Sequence, residues 1–373
     1  MKTKIRFLIN SLTGGGAEKV LVDLLKCLDP ERYDLTVLTI TGGVHKERLP
    51  GYVHYRQIVK SSYPKVERLL AKICFKLPRW LFATLFLPGQ YDIEIAYLEG
   101  SPVRFMAAKR TKGAKIAFVH CDLSVKNTIA PLYRSEADCL DEFQSFTKVC
   151  FVSDQGMKGF EKTVGPLNNG CVVHNVIDLD QIRALSEQAP AARFPEKKWK
   201  LVAVGRFVRE KAFDRLLRIV SVLEKAYDIQ LWILGDGQDR PTLEQMIEQM
   251  QIRGVRLMGY QLNPCAIVRQ ADLFVCSSVS EGYSTAVTEA LALGVPVITT
   301  RCAGMDEILE NGKYGVIVEN SEEALLCGLK EMFDAPEEYK RLKTLVVEKS
   351  RDMTNDRAVG EYTALFDSVL SGR

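Results

Sequence analysis

The chain reads as an α/β protein made of two doubly wound, Rossmann-like domains facing a cleft. Three observations predict this. Short apolar runs alternate with amphipathic helical stretches, which implies right-handed crossovers and parallel sheets. The alternation restarts after residue 190. The apolar runs end in Gly-, Ser- or charge-rich turns, and sheets of this kind bind ligands at such strand ends. A chain of 373 residues, 47% apolar and 26% charged, has the length for two domains and the composition of a soluble globular protein.

In the first half, Ile5 to Ile9 is a short buried strand, Thr13 to Gly16 a loop, and Ala17 to Leu28 a helix. Val20, Leu21, Leu24, Leu25 and Leu28 fall on one face of that helix. Strands follow at Tyr33 to Ile40, Tyr91 to Leu98, Lys115 to Val119, Lys148 to Val152 and Cys171 to His174. Ala189 to Pro195 has the composition of a linker. The second series of strands is Leu201 to Val204, Ile229 to Leu234, Arg256 to Met258, Leu273 to Cys276, Val295 to Thr299 and Gly315 to Val318. The expected domains are residues 1–185 and 196–354. The helical stretch within 355–373 is expected to cross back to the first domain.

Composition narrows the function. The net charge of +3 divides unevenly: residues 1–180 hold 25 Lys+Arg against 19 Asp+Glu, and the remainder 25 against 28. The basic excess is modest and no nucleic-acid motif accompanies it, so a nucleic-acid partner is not expected. An anionic membrane surface is the competing explanation. The ten cysteines form no C-x-x-C pair and there are four histidines, which argues against zinc. Cys27, Cys150, Cys276 and Cys327 sit in apolar runs and read as small core residues of a reducing compartment. Met1 to Arg6 runs into a strand without a signal-peptide core. The longest apolar run, Trp80 to Pro88, is far too short to span a bilayer. A cytoplasmic protein is expected, resting at most on the inner face of the membrane.

The most informative stretch is Ser280 to Ala290, with Glu281 in a Gly/Ser/Thr-rich turn after a strand and Glu289 inside the following helix. A carboxylate in such a helix needs solvent or a polar partner, since unpartnered burial costs several kcal/mol. The turn Gly282, Tyr283, Ser284, Thr285 offers N–H groups at a helix start, which suits an anion. Strand, anion-holding turn and acidic helix together describe a nucleotide-sugar site. Thr13 to Glu18, with Gly15 and Gly16, opens a helix after the first strand. It either approaches an anion or is a tight turn, and it is not the G-x-G-x-x-G of a dinucleotide fold. Gly205, Arg206 and Lys211 follow a strand end. The two cations either reach a diphosphate or lie in a solvated loop. Stabilising a departing diphosphate with such cations needs no metal. His120, at the end of the strand Ile116 to Val119 with Asp122 two residues on, is either a site residue or structural. His174 and Asn175 form a second strand-end cluster. Lys60 to Leu87 interleaves Lys65, Arg68, Lys72, Lys76 and Arg79 with bulky apolar residues. That pattern fits an interfacial membrane segment or a core helix with a solvated basic face.

Together these residues resemble glycosyltransferase family four, the retaining enzymes of the GT-B fold, of the type that assembles bacterial surface polysaccharide. The resemblance covers nearly the whole chain. Its parts are Gly14 to Glu18, His174 to Asp178, Gly205 to Lys211, Leu234 to Gly237, and the two glutamates with Gly294-Val295-Pro296-Val297 after them. It implies a nucleoside-diphosphate sugar as donor substrate, with uridine as the base, and a glycan or lipid-linked glycan as acceptor. No cofactor and no metal are implied. Glu281 would contact the donor sugar and Glu289 the ribose. Arg206 and Lys211 would hold the diphosphate, helped by N–H groups near Gly15, Gly16 and Tyr283 to Ala286. Leu257, Met258 and Gly259 would meet the base. His120 would bind the donor sugar or steady the oxocarbenium-like transition state, and Asn175, Gly205 and Gly237 belong to the matching motifs. Tyr283 stands where phenylalanine is frequent, and Val176 where glycine is commoner. Three alternatives stand beside it: an epimerase or hydrolase of the same fold, a catalytically silent nucleotide-sugar-binding protein, and a dinucleotide oxidoreductase, which the glycine fingerprint disfavours.

Overall fold

The computed structural model describes residues 1–61, 63–196 and 199–372. The chain divides into two compact units, Met1–Asp178 with Asn355–Arg373, and Leu179–Thr354. The first unit carries seven parallel strands: β1 (Thr3–Ile9), β2 (Tyr33–Thr39), β3 (His54–Gln57), β4 (Ile93–Ala96), β5 (Ala114–Val119), β6 (Lys148–Phe151) and β7 (Gly170–Val172). Their order is β3-β2-β1-β4-β5-β6-β7. Successive side chains of a strand face opposite ways, so Ile5, Phe7 and Ile9 pack under the helix Gly16–Cys27 while Leu8 joins a second core with Phe82 and Met106. Arg6 and Glu94, opposite each other in β1 and β4, form a buried two-pronged ion pair at 2.8 Å. A one-residue slip would separate these charges, so the pair opposes a change of register. The helix Asp356–Ser371 belongs to this unit. Its Tyr362 is fully buried and shares a hydrogen bond with Tyr97 at 3.0 Å.

The second unit has six parallel strands: β8 (Trp199–Val204), β9 (Ile229–Leu234), β10 (Val255–Gly259), β11 (Leu273–Cys276), β12 (Val297–Thr300) and β13 (Gly315–Val318). Their order is β10-β9-β8-β11-β12-β13. Both sheets reverse their strand order once, between β1 and β4 and between β8 and β11. Ligands of doubly wound sheets bind at such points, beyond the carboxyl ends of the strands.

Several expectations need correction. β3 has no counterpart in the sequence reading. The expected strand Cys171 to His174 runs instead over Gly170–Val172, and Val295 to Thr299 over Val297–Thr300. The expected linker Ala189 to Pro195 lies inside the second unit, where Phe194 stacks on Trp232 at 3.9 Å between centroids. Residues 60–87 are not one helix, and they divide between core and surface, with Cys74, Phe82 and Leu87 buried. Helices Pro64–Lys76 and Arg79–Phe86 meet at Pro78, and Leu69, Ile73, Trp80 and Leu85 are more than half exposed. Cys150 and Cys276 are buried, but Cys327 is exposed and Cys27 only partly covered. No helix among the described residues is long and apolar enough to cross a membrane.

Candidate active site

In the second unit the loops after β8 and β11 are sewn together. Val279 N donates to Glu210 O at 2.8 Å and Ser277 Oγ to Lys211 O at 2.8 Å. This brings Lys211 Nζ to 2.5 Å from Glu281 Oε1, which also accepts from Ser278 Oγ at 2.6 Å. The pair lies at the point where the strand order reverses. Burial works against the Lys211 ammonium, yet the adjoining Glu281 carboxylate holds it above the usual lysine range. Arg206, one residue after Gly205, is exposed and has no carboxylate partner among the described residues.

The glycines have packing reasons. A Cβ on Gly205 would press on the Lys211 stem at 3.2–3.3 Å. A Cβ on Gly237 would lie 2.4 Å from Phe207 O, so the loop after β9 can rest on the loop after β8 only with glycine there. Phe207 N donates to Asp236 O at 2.9 Å and Asp239 N to Phe207 O at 3.0 Å, which locks the contact. Gly237 thus supports the Arg206 loop by backbone packing. At the edge of the sheet, Met258 O accepts from Gln261 Nε2 at 2.7 Å, and Gly259, with φ of +68°, accepts from Gly235 N at 2.9 Å.

The helix Thr285–Ala292 starts where the sequence places it. Ser284 is buried and its side chain caps the helix at Val287 N. Gly282 and Tyr283 lie against Gly304, whose added Cβ would come within 3.1 Å of both. Val287, Ala290 and Leu291 are buried, while Thr285, Ala286 and Glu289 share a half-exposed face. Glu289 is therefore partly solvated rather than sealed in the core.

The first unit presents His120 at the end of β5. Burial pushes its imidazole down to about 4, against the opposing effect of Glu99. The ring is neutral at physiological pH, and Nε2 is buried with no hydrogen-bond partner among the described residues. Glu99 Oε2 accepts from His120 N at 2.9 Å. The sequence reading missed Glu99. Its signal was available: an acid one residue beyond the apolar run that ends β4. Gly15 behaves differently from expectation. Its N–H and that of Gly14 are both taken by the Glu18 carboxylate, the latter at 2.7 Å, in a capping box that closes the first turn. A Cβ on Gly16 would meet open space. His174 N and Nδ1 both lie 2.9 Å from Glu361 Oε2 on the C-terminal helix, which fixes the backbone next to Asn175. Among the described residues no three His, Cys, Asp or Glu side chains gather as metal ligands would.

The family "Glycosyl transferases group 1" matches residues 185–345. Those residues are similar to the domain of that family. They coincide with most of the second unit and contain Arg206, Lys211, Glu281 and Glu289. Among relatives, the lipopolysaccharide core biosynthesis glycosyltransferase LpsD of Rhizobium meliloti is 29% identical over 182 residues, 48% of this chain and 52% of LpsD. The chain thus spans about half the length of that relative. The N-acetylgalactosamine-N,N'-diacetylbacillosaminyl-diphospho-undecaprenol 4-alpha-N-acetylgalactosaminyltransferase of Campylobacter jejuni is 25% identical over 354 residues, 89% of this chain and 90% of its own. The crystal structure of Anabaena HepE in complex with UDP and glucose superimposes with a TM-score of 0.73 at 17% identity, covering 98% of this chain and 100% of that one. The fold is GT-B, and both of its α/β units are present.

Proposed function

We propose that the chain is a retaining, metal-independent glycosyltransferase of bacterial surface-polysaccharide synthesis. It moves a sugar from a nucleoside-diphosphate donor, with uridine as the base, to a hydroxyl of a glycan or lipid-linked glycan. The observation that carries this reading is the Lys211–Glu281 pair at the strand-order reversal, with exposed Arg206 on the same loop and a Ser284-capped helix N-terminus beside it. HepE was crystallised with UDP and glucose, which supports the donor class. The C. jejuni relative is named for an acceptor on diphospho-undecaprenol, which supports a lipid-linked acceptor.

In the proposed reaction the second unit holds the donor. The bond from the anomeric carbon to the diphosphate oxygen breaks, and its electron pair leaves with the diphosphate, whose growing charge Arg206 and Lys211 stabilise. The acceptor oxygen bonds to the same carbon from the same face, so configuration is retained. The departing phosphate takes the acceptor proton. Glu281 holds the transferred sugar, and Glu289, on the half-exposed helix face, the ribose. His120, with an unpartnered Nε2, accepts from or donates to a sugar hydroxyl as a neutral ring. The helices of residues 64–86 expose Leu69, Ile73 and Trp80 among cations, and this stretch is the proposed contact with an anionic inner-leaflet surface.

The deciding experiment is a donor-hydrolysis screen of nucleotide sugars with the purified full chain. A UDP-sugar hydrolysed slowly without acceptor and transferred quickly with one supports the reading. Isomerised free sugar without acceptor would identify an epimerase instead, and tight binding without turnover across acceptors a silent binding protein.

A further inference from the structure

A second site lies wholly within the first unit. A cavity of about 870 Å³ opens beyond the ends of β1, β2 and β3, beside Thr13 of the glycine loop. Lys46, Lys60, Arg68 and Lys72 line it, with Glu67 and Phe75. None of the four cations pairs with a carboxylate among the described residues. The carboxylate of Glu67 is otherwise engaged. It accepts from Gln57 Nε2 at 3.1 Å and Gly42 N at 3.4 Å, and so ties the helix Pro64–Lys76 to the loop after β2. The lining carries four positive charges against one negative. Like charges gathered without counter-ions repel each other and focus potential into a concave site, an arrangement that favours an anionic occupant.

We propose that this cavity binds the phosphate-bearing group of the acceptor, so that the acceptor is a diphosphate ester and not a neutral glycan. The inference rests on the glycosyltransferase reading and assigns that reading its acceptor subsite. Three lysines and an arginine supply mobile point charges and one planar fork, which suit phosphate oxygens. A net excess of three positive charges matches the two to three charges of a diphosphate ester better than the single charge of one acidic sugar. Phe75 and Ala71 give the cavity an apolar wall. The exposed apolar stripe Val66, Leu69, Leu70 and Ile73 recurs at helical spacing on the other side of the same helix. It is separate from the cavity lining.

Calorimetric titration of the full chain with farnesyl diphosphate, inorganic diphosphate and farnesol tests this. Farnesyl diphosphate is expected to bind saturably and farnesol not to bind. Competition by inorganic diphosphate locates the affinity in the phosphates and not the hydrocarbon. In the double variant Arg68→Gln, Lys72→Gln the dissociation constant for farnesyl diphosphate is expected to rise at least tenfold, with an unchanged circular dichroism spectrum and melting temperature. Arg68→Lys, Lys72→Arg should restore most of it. Farnesol binding as well as farnesyl diphosphate would overturn the proposal, as would unaltered farnesyl diphosphate binding in the Gln variant. Loss of binding to phosphatidylglycerol vesicles in that variant, with farnesyl diphosphate binding retained, would assign these cations to a membrane surface and overturn it too. UDP titrated into the wild-type chain separates the two levels. If UDP binds and farnesyl diphosphate does not, the cavity inference fails alone; if UDP does not bind, the glycosyltransferase reading fails.

Discussion

Glu281→Gln separates the two jobs that the geometry gives this carboxylate. The substitution keeps the shape and leaves Ser278 Oγ an acceptor, but removes the charge that lies 2.5 Å from Lys211 Nζ. A charge-assisted hydrogen bond contributes about 1.5–3 kcal/mol. The side chains of Lys211 and Glu281 are 23% and 11% exposed, so solvent screening reduces the expected loss of stability to about 1–2 kcal/mol. For a domain of this size that lowers the melting temperature by roughly 3–6 °C. Nucleotide binding should move the other way. Lys211, released from its partner, faces the diphosphate with a full charge, and removing one nearby negative charge from a solvated site is worth about 1 kcal/mol. UDP should therefore bind about fivefold more tightly. Sugar transfer should fall about a hundredfold or more, because the acid no longer holds the transferred sugar. Calorimetry with UDP, a melting curve and a steady-state transfer assay read the three quantities. UDP binding ten times weaker, together with turnover within threefold of the wild type, would refute both the pairing and the role of Glu281.

Arg206→Ala should leave the melting temperature within a degree or two, since the side chain is exposed and without an ion-pair partner among the described residues. It should still cut transfer about a hundredfold, read by the same assay. Gly237→Ala should cost about 2–4 kcal/mol of stability, because the new Cβ overlaps Phe207 O, and it should weaken UDP binding by displacing the Arg206 loop; a melting curve and a UDP titration check it. His120 sets an acid limb. Its imidazole titrates near 4 when folded against about 6.5 unfolded. Between those pH values the unfolded chain binds more protons, so stability falls as pH drops from 6.5 to 4, by about 3 kcal/mol in all. His120→Gln should flatten that limb in urea titrations across the range.

What the sequence revealed about the fold follows from which interactions are local. Ile229 to Leu234 is legible with its true ends because a parallel strand buried on both faces is a nearly unbroken apolar run, interrupted here by Gln230 alone. His54–Gln57 escaped because it is an edge strand of polar composition, paired on one side only with β2. Pro296 has no N–H to give a ladder, so β12 begins two residues later than its apolar run suggests. Phe194 looked like part of a linker because its partner, Trp232, stands 38 positions away. The site divides in the same way. Ser284 as a helix cap and Glu289 on the helix face are local facts, readable from spacing. The glycine loop was also local, but two readings competed there, and the Glu18 capping box takes the N–H groups that a phosphate was expected to use.

The Lys211–Glu281 pair was not readable from spacing at all. Each residue could be placed just after a strand, but 70 positions separate them. They meet because β11 inserts beside β8, and strand order is a long-range property that a single run of residues does not encode. This also explains why the two acids of the opening motif differ. Glu281 is answerable to another loop, so its environment changes when anything shifts β8 against β11. Glu289 is held by its own helix, whose face is set by Val287, Ala290 and Leu291. Substitutions that loosen the contact between the loops after β8 and β9, as at Gly237, should therefore disturb Glu281 while leaving Glu289 in place. Ribose recognition should outlast sugar recognition in such variants, and a comparison of UDP with uracil-containing ligands lacking the ribose would expose the difference.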